Sequence, residues 1–284
     1  MTVFPADLKL WLRANGVAQD SPRQSVSGGC ISEALCIESP QGALFVKFGQ
    51  EVPTRFYEAE AEGLDYLHQA SNLRVPDVLA YGEHFIVMNY IRSAPHRGDF
   101  WEQLARQLAG LHDCQRQQFG FINDNFCGET PQINTLDEDG HRFFAERRLL
   151  YQARLAADAG LLGSKEQADI HRLCRRLPEL VPEQPASLLH GDLWSGNIHA
   201  SETGEPVFID PAVYFGWAET DLAMTRLFGG FPESFYDAYT EVRALESGWR
   251  ERLEIYQLYP LLNHLNLFGG SYLASVQTIL KRFA

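Results

Sequence analysis

Two short runs of sequence decide the fold: SLLHGDLWSGN at residues 187–197 and VFIDP at residues 207–211. Each run has apolar residues typical of a buried strand, followed by polar side chains. A polar group at the end of a buried strand is held by the scaffold and stays reachable from solvent. Asp192, Asn197 and Asp210 offer one base and two oxygen ligands for a hard cation. Such a set is what the transfer of a phosphoryl group requires.

The composition is that of an ordinary globular protein. The 284 residues are 45% hydrophobic and 21% charged, which allows a sizeable core in one large domain or two lobes. The net charge of −13 argues against nucleic-acid binding, which needs a basic surface, and is compatible with a cationic substrate or with solubility alone. No apolar run reaches the length of a membrane span. Residues 1–15 are predicted to form an amphipathic helix and not a signal peptide, which predicts a cytoplasmic protein.

A turn with two adjacent glycines, Gly28 and Gly29, lies in a strand-rich region near the N-terminus. Such a pair allows backbone conformations that bring N–H groups close to a phosphate. It is also a common hairpin turn, so the pair alone leaves both interpretations open. Cys30 follows it directly. The odd number and wide scatter of the five cysteines predict neither a disulfide framework nor a zinc site.

The strand predicted over residues 43–48 carries a lysine near its end. Alternation places Leu44, Val46 and Phe48 on one face and Lys47 on the other. A lysine among apolar residues needs an anionic partner unless its face of the sheet is exposed. Both interpretations of Lys47 remain open on the strand alone.

The helix predicted over residues 54–70 supplies a partner for Lys47. Glu60 lies at helical spacing beside Leu64 and Leu67, so it can point at the lysine from the apolar side of the helix. Kinases place a phosphate-binding lysine and its glutamate in this order after a Gly-rich turn. The order of the motifs therefore favours a kinase.

A hairpin predicted over residues 78–88 leads through Met88 and Tyr90 into a linker over residues 92–98. Backbone groups of an extended linker beside an apolar strand can bind an adenine ring. A plain connection is the alternative, and nothing local decides between them.

The rest of the chain is predicted to be mainly helical. An irregular loop is predicted over residues 119–132, and helices are predicted over residues 2–14, 99–112, 137–158, 164–180, 219–228, 232–243, 248–265 and 271–283. A strand-rich first third followed by helices predicts an α+β fold with two unlike lobes and a cleft between them. We expect the N-terminal lobe over residues 1–91 and the C-terminal lobe over residues 92–284.

The motifs together resemble the protein-kinase-like fold, in its small-molecule branch of aminoglycoside and choline phosphotransferases. Further runs resemble the fructosamine kinase, or ketosamine 3-kinase, family over essentially the whole chain. These runs are GGCIS (28–32), LHGDLWSGN (189–197), DPAVYFG (210–216), LFGGFP (227–232) and YQLYPLLNHLNLFG (256–269). The resemblance implies a small antiparallel sheet with one main helix in the N-terminal lobe, a larger helical C-terminal lobe, and the use of ATP and Mg²⁺.

The resemblance also implies how the nucleotide is bound. Gly28 and Gly29 would cover the phosphates, and Lys47, held by Glu60, would bind the α- and β-phosphates. Cys30 in the same turn would be able to form a disulfide between two subunits, so the protein would be a monomer or a redox-linked homodimer; an ordinary reduced thiol is the alternative.

Roles for the second half of the site follow from the resemblance in the same way. Asp192 would accept or orient the proton of the acceptor hydroxyl, and Asn197 and Asp210 would bind Mg²⁺. His190 would support the loop and not carry protons. Asp221 would brace the loop through backbone N–H groups, the alternative being an acid favoured at a helix N-terminus.

Trp194 lies two residues after Asp192 and would stack on the substrate, with core packing as the equal alternative. The implied activity is phosphorylation of a sugar hydroxyl, at carbon 3, of a ketosamine such as a fructosamine, ribulosamine or erythrulosamine, free or bound to protein, in deglycation repair. One alternative is a kinase of the same fold for an aminoglycoside, choline or a homoserine-like alcohol. The other is a pseudokinase that binds nucleotide without turnover. Neither nucleic acid nor a membrane is an expected partner.

Overall fold

The computed structural model describes residues 3–18, 20–26 and 32–284. Near the N-terminus its strands are β1 (Arg23–Ser25), β2 (Glu33–Ser39), β3 (Gly42–Phe48), β4 (Val78–Tyr81) and β5 (Phe85–Asn89). Within the described residues they form a five-stranded sheet with the order β1-β2-β3-β5-β4, and every neighbouring pair is antiparallel. The expected small antiparallel sheet is confirmed.

One face of this sheet is covered by α1 (Ala6–Ala14). Leu44, Val46 and Phe48 of β3 pack with helix residues in one apolar cluster, as the alternation predicted. Helix α1 begins later than residue 2 because Pro5 has extended backbone angles and acts as its N-cap. A proline also disfavours helical geometry in the residue before it.

The other face is covered by α2 (Phe56–Ala70). Ile86 and Met88 of β5 belong to the same core as residues of α2 and of the helical part of the chain. Lys47 is in register with Ile86 and therefore lies on this inner face. The predicted division between residues 91 and 92 stays a prediction, since one continuous core crosses it.

The remaining chain is mainly helical, as predicted. Its helices are α3 (Phe100–His112), α4 (Gly140–Phe143), α5 (Tyr151–Asp158), α6 (Ser164–Leu180), α7 (Glu219–Leu227), α8 (Glu233–Val242), α9 (Trp249–Phe268) and α10 (Leu273–Phe283). A π-helical segment, Phe144–Leu150, joins α4 to α5. Pro178 lies inside α6 on its exposed side, and Pro260 lies buried inside α9; each lacks the N–H that a helix interior normally uses.

The two sequence runs at residues 187–197 and 207–211 contain short strands, and further short strands lie elsewhere in this part of the chain. They are β6 (Gln115–Arg116), β7 (Asn125–Cys127), β8 (Thr130–Gln132), β9 (Ala186–Leu189), β10 (Ile198–Ala200), β11 (Pro206–Phe208) and β12 (Tyr214–Gly216). Strand β9 lies between β12 and β6, and β10 pairs with β11. The strands β7 and β8 form a hairpin inside the region expected to be an irregular loop, so that prediction is wrong. Three-residue strands are too short to show alternation in sequence.

Candidate active site

The loops after β9 and β11 meet through a glycine. Gly191 has φ +84°, and a Cβ on it would stand 2.0 Å from the carbonyl oxygen of Ala212. The backbone N–H of Ala212 donates to the carbonyl of His190 at 2.9 Å. A side chain at position 191 would therefore separate the loop that carries Asp192 from the loop that carries Asp210.

Asp192 and Asn197 are joined directly. The amide nitrogen of Asn197 donates to the backbone oxygen of Asp192 at 2.8 Å and to its carboxylate at 3.0 Å. Since the amide nitrogen faces Asp192, the amide oxygen of Asn197 stays available, and no hydrogen bond reaches it from the described residues. This arrangement fixes the side chain of Asn197 with an oxygen ligand free.

The donor set suits Mg²⁺, which takes one or two protein oxygens and fills its shell with phosphate and water. Asn197 offers an amide oxygen, and Asp210 offers a carboxylate that is 32% exposed. Among the described residues there is no group of three or more His, Cys, Asp or Glu side chains able to hold a metal ion.

Asp192 has an unusual electrostatic environment. Burial raises its pKa, the hydrogen bond from Asn197 lowers it, and the negative charges of Asp210 and Asp221 raise it, to about 7 in total. A nearby cation would offset that repulsion and favour the ionised carboxylate. The negative charges around Asp192 therefore favour a cation bound close to it.

Lys47 joins the sheet to both α2 and the second loop. Its amino group donates to Glu60 at 2.8 Å and also forms a close ion pair with Asp210. The expected contact with Glu60 is present, while the contact with Asp210 was not foreseen. Burial opposes the charge on Lys47, but the two carboxylates outweigh it and raise the pKa of the lysine. The lysine is therefore a fixed positive charge.

Asp221 accepts hydrogen bonds from the backbone of the first loop. The N–H groups of His190 and Gly191 donate to its two carboxylate oxygens at 2.8 and 2.9 Å. The His190 ring is buried, its Nε2 lies 3.0 Å from the carbonyl of Ile209, and burial lowers its pKa. Asp221 and His190 thus make the contacts that their predicted roles in supporting the first loop require.

His112 extends this support and was missed from the sequence. Its Nε2 lies 3.2 Å from Asp221, and its Nδ1 lies 2.7 Å from the hydroxyl of Tyr239 on α8. A carboxylate only accepts, so His112 donates to Asp221 and accepts from Tyr239. The only signal in the sequence is that His112 follows the apolar residues Leu104, Leu108 and Leu111 at helical spacing.

A buried network of polar side chains forms hydrogen bonds to the backbone of the second loop, which follows β11 and carries Asp210. Gln132 donates to Asn125 at 2.8 Å and to the carbonyl of Ala212 at 3.1 Å, and Asn125 donates to the carbonyl of Val213 at 2.8 Å. Tyr259 on α9 donates to Gln132 at 2.8 Å. The network lies in the misassigned loop region, so nothing in the sequence pointed to it.

The remaining predicted residues lie as follows. Trp194 is 37% exposed, so the alternative of core packing is wrong and the substrate contact stays a prediction. Met88 is buried, and the N–H of Tyr90 donates to the carbonyl of Ala43 at 2.9 Å. That N–H is therefore not free for an adenine ring.

The predicted phosphate-covering turn, with Gly28, Gly29 and Cys30, lies outside the described residues. The predictions on phosphate contact and on a disulfide stay predictions.

Comparison with known proteins identifies the family. The family model for fructosamine kinase matches residues 7–284. The chain belongs to the fructosamine kinase family. Members of this family are ATP-dependent phosphotransferases, and the chain is one of them.

A family relative in Arabidopsis thaliana, the chloroplastic protein-ribulosamine 3-kinase, is 38% identical over 287 residues, which cover 97% of this chain and 87% of the relative. A candidate fructosamine-3-kinase of Thermobifida fusca has a crystal structure with a TM-score of 0.87 and 31% identity, and 96% of each chain is covered. An aminoglycoside phosphotransferase shares the kinase-like fold, with a TM-score of 0.66 at 16% identity and 98% of each chain covered. The protein-kinase-like fold is therefore confirmed.

The described residues contain no helix that is both long and apolar enough to cross a membrane.

Proposed function

We propose that this protein is an ATP- and Mg²⁺-dependent kinase that phosphorylates a sugar hydroxyl, at carbon 3, of a ketosamine. The observation that carries the proposal is the junction of the two loops, where Asn197 holds Asp192 and where Asp210 meets Lys47. The chemistry of that junction is phosphoryl transfer to an alcohol. The acceptor is inferred from the protein-ribulosamine 3-kinase to which the chain is similar over nearly its full length.

Each residue of the junction has a task in this reaction. Asp192 orients the acceptor hydroxyl and takes its proton as the phosphoryl group is transferred. Lys47 neutralises charge on the donor phosphates, and Glu60 fixes the position of the lysine. Asn197 and Asp210 hold Mg²⁺, which neutralises phosphate charge when bound.

The product suggests a role in deglycation repair. A phosphate at carbon 3 lies next to the carbonyl at carbon 2. Enolisation towards carbon 1 then expels inorganic phosphate from carbon 3 and leaves an imine at carbon 1, which water hydrolyses to release the amine. Ribulosamines and erythrulosamines, free or bound to protein, are the acceptors that we expect. Because Lys47, Asp192, Asn197 and Asp210 are all present, a pseudokinase is disfavoured.

Replacement of one carboxylate tests the proposal. Asp192→Asn should lower kcat with a ribulose-lysine acceptor by roughly 10²- to 10⁴-fold, because it removes the base. ATP binding, measured by calorimetry, should persist. The matched control is Asp158→Asn, an exposed acid at the end of α5, which should keep full activity. Wild-type turnover in the Asp192→Asn variant would refute the assigned role.

The acceptor is tested separately with a panel of ribulosamine, fructosamine, aminoglycoside and choline under one ATP assay. We expect the highest kcat/KM with a ketosamine, and ³¹P–¹³C coupling in the product should place the phosphate at carbon 3. A preference for another alcohol, or a phosphate at another carbon, would contradict the proposed acceptor while leaving the family intact.

A further inference from the structure

A band of aromatic rings leads away from the first loop of the site. The rings are those of Trp194, Phe228, His264, Phe268 and Tyr272, and we call them the aromatic band. Neighbouring ring centroids are 6.1 Å apart for Trp194 and Phe228, 4.7 Å for Phe228 and His264, and 5.3 and 5.1 Å for His264 with Phe268 and Tyr272. Trp194 is 37% and Phe268 49% exposed. The band is thus continuous and open to solvent at both ends.

The loop holds the indole of Trp194 at the start of the band. The ring lies over Gly196, since a Cβ at that position would stand 2.3 Å from atom Cη2 of the indole. The Trp194 backbone N–H donates to the carbonyl of Asp192 at 3.2 Å. The band therefore begins on the loop that carries Asp192, two residues after it.

The middle ring of the band carries a free lone pair. The Nδ1 atom of His264 lies 2.8 Å from the carbonyl of Pro260, and a carbonyl only accepts, so Nδ1 carries the proton. Burial lowers the pKa of His264, which favours the neutral ring. Its Nε2 is then an acceptor, and no described residue donates to it. The imidazole that carries this acceptor contacts three aromatic rings, those of Phe228, Phe268 and Tyr272.

Aromatic rings next to a free acceptor suit an ammonium ion. Aromatic faces attract a cation through their quadrupoles, and the lone pair of Nε2 accepts a hydrogen bond from an N–H. The proteinʼs net charge of −13 also favours cationic ligands. A sugar whose hydroxyl faces Asp192 meets the near end of the band, so the rings beyond Trp194 meet what the sugar is attached to.

We propose that the aromatic band binds the protonated amine arm of the acceptor, with Nε2 of His264 accepting a hydrogen bond from its N–H. This assignment rests on the proposed function and deepens it. It makes the band the part of the site that separates amine-linked sugars from other sugars. His264, Phe228 and Phe268 become specificity residues, whereas Asp192 treats any suitably placed hydroxyl alike.

Two acceptors that differ in one atom test the assignment. Both carry the same ribulose and the same short alkyl arm, but one is joined through a secondary amine and the other through an ether oxygen. In the wild-type enzyme the KM of the amine should be lower than that of the ether by roughly 3- to 30-fold, the range of one or two cation–π contacts. The KM for ATP should be the same with both.

Two variants test which residues discriminate between the amine and the ether acceptor. His264→Leu removes the ring and the lone pair, and Phe268→Leu removes a ring whose exposure makes misfolding no concern. In both, the ratio of the two KM values should fall towards one, with the KM for ATP unchanged. The matched control is Tyr81→Leu, an equally exposed aromatic (51%) on β4, which should keep the wild-type ratio.

The outcomes separate the two proposals. Equal KM values for amine and ether in the wild type, or an unchanged ratio in both variants, would overturn the assignment of the band and leave the kinase activity on ketosamines intact. Absence of phosphorylation of either acceptor, with ATP still bound, would overturn the proposed function and the assignment together.

Discussion

Lys47 and Arg252 are both buried cations with carboxylate partners, but the two groups differ in what they leave open. Around Lys47, one cation faces the two carboxylates of Glu60 and Asp210, and Asp210 is 32% exposed. The group therefore keeps a negative charge that a ligand can reach. Its members come from β3, α2 and the loop after β11.

The group around Arg252 is closed on itself. The guanidinium of Arg252 donates to both oxygens of Glu219 at 2.6 and 3.0 Å, and the hydroxyl of Tyr256 donates to Glu219 at 3.0 Å. A further guanidinium nitrogen donates to the carbonyl of Ser247 at 2.6 Å. One cation meets one carboxylate that is fully buried.

The two groups contribute differently to stability and to cation binding. A closed pair holds elements together, here α7 to α9, and its loss leaves an unpaired buried charge. A group with a surplus, reachable carboxylate is built to bind a cation. Stability and activity should therefore respond differently when each group is broken.

The largest effect is expected for a change in the group around Lys47. Lys47→Met should lower kcat/KM for ATP on the order of 10³-fold, about 4 kcal/mol, because the fixed positive charge for the phosphates is lost. Its thermal midpoint should fall less than that of an Arg252 variant, since Asp210 can be hydrated and Glu60 is 12% exposed, whereas Glu219 is fully buried. The control is Lys165→Met, whose side chain is 82% exposed. Activity within tenfold of wild type would show that Lys47 only supports the fold.

Breaking the closed pair should give the reverse result. Arg252→Met should lower the free energy of unfolding by about 3 kcal/mol and the thermal midpoint by about 5 °C, because Glu219 stays buried without a cation. The activity of the folded fraction at low temperature should stay near wild type. Adding Glu219→Gln should restore part of the stability. A double variant whose losses simply add would mean that the two side chains do not interact.

Asp221 links the two regions, because α7 carries both Glu219 and Asp221. Asp221→Asn should lower kcat roughly tenfold and the free energy of unfolding by about 1–3 kcal/mol, since one acceptor for buried N–H groups is lost. Steady-state kinetics and denaturant unfolding measure both. The exposed Asp237→Asn on α8 is the control. A loss of stability with unchanged kcat would contradict a positioning role.

The smallest effect is expected for Tyr256, whose hydroxyl donates one hydrogen bond to Glu219 beside the Arg252–Glu219 ion pair. Tyr256→Phe removes one hydrogen bond to Glu219 and should cost about 1 kcal/mol of unfolding free energy, because Arg252 still neutralises the carboxylate. Denaturant unfolding should show the change and kinetics should show none. A loss as large as that of Arg252→Met would mean that the tyrosine, and not the ion pair, holds α7 to α9.

Local periodicity carried much of the prediction. The faces of β3 and the approach of Glu60 to Lys47 followed from alternation and helical spacing, because both depend on backbone geometry that repeats along the chain. The hydrogen bonds that Asp221 accepts were implied by the family resemblance and not by periodicity.

The misses share a physical cause. His112, Gln132 and Arg252 are buried polar residues whose partners lie on elements far away in sequence. A buried polar group must be satisfied, but nothing in its own neighbourhood names the group that satisfies it. The loop predicted over residues 119–132 shows the same limit, because strands as short as β7 and β8 leave no recognisable alternation in the sequence.

The amino-acid sequence was enough to predict the family, the kinase-like fold and the two loops that carry Asp192 and Asp210, because those depend on short motifs and on strand and helix periods. The packed structure was needed to show that Lys47 also contacts Asp210, that Trp194 is exposed, and that His264 lies among aromatic rings with a free acceptor. Those contacts join residues from different elements, and the distance between elements is set by how the whole core packs.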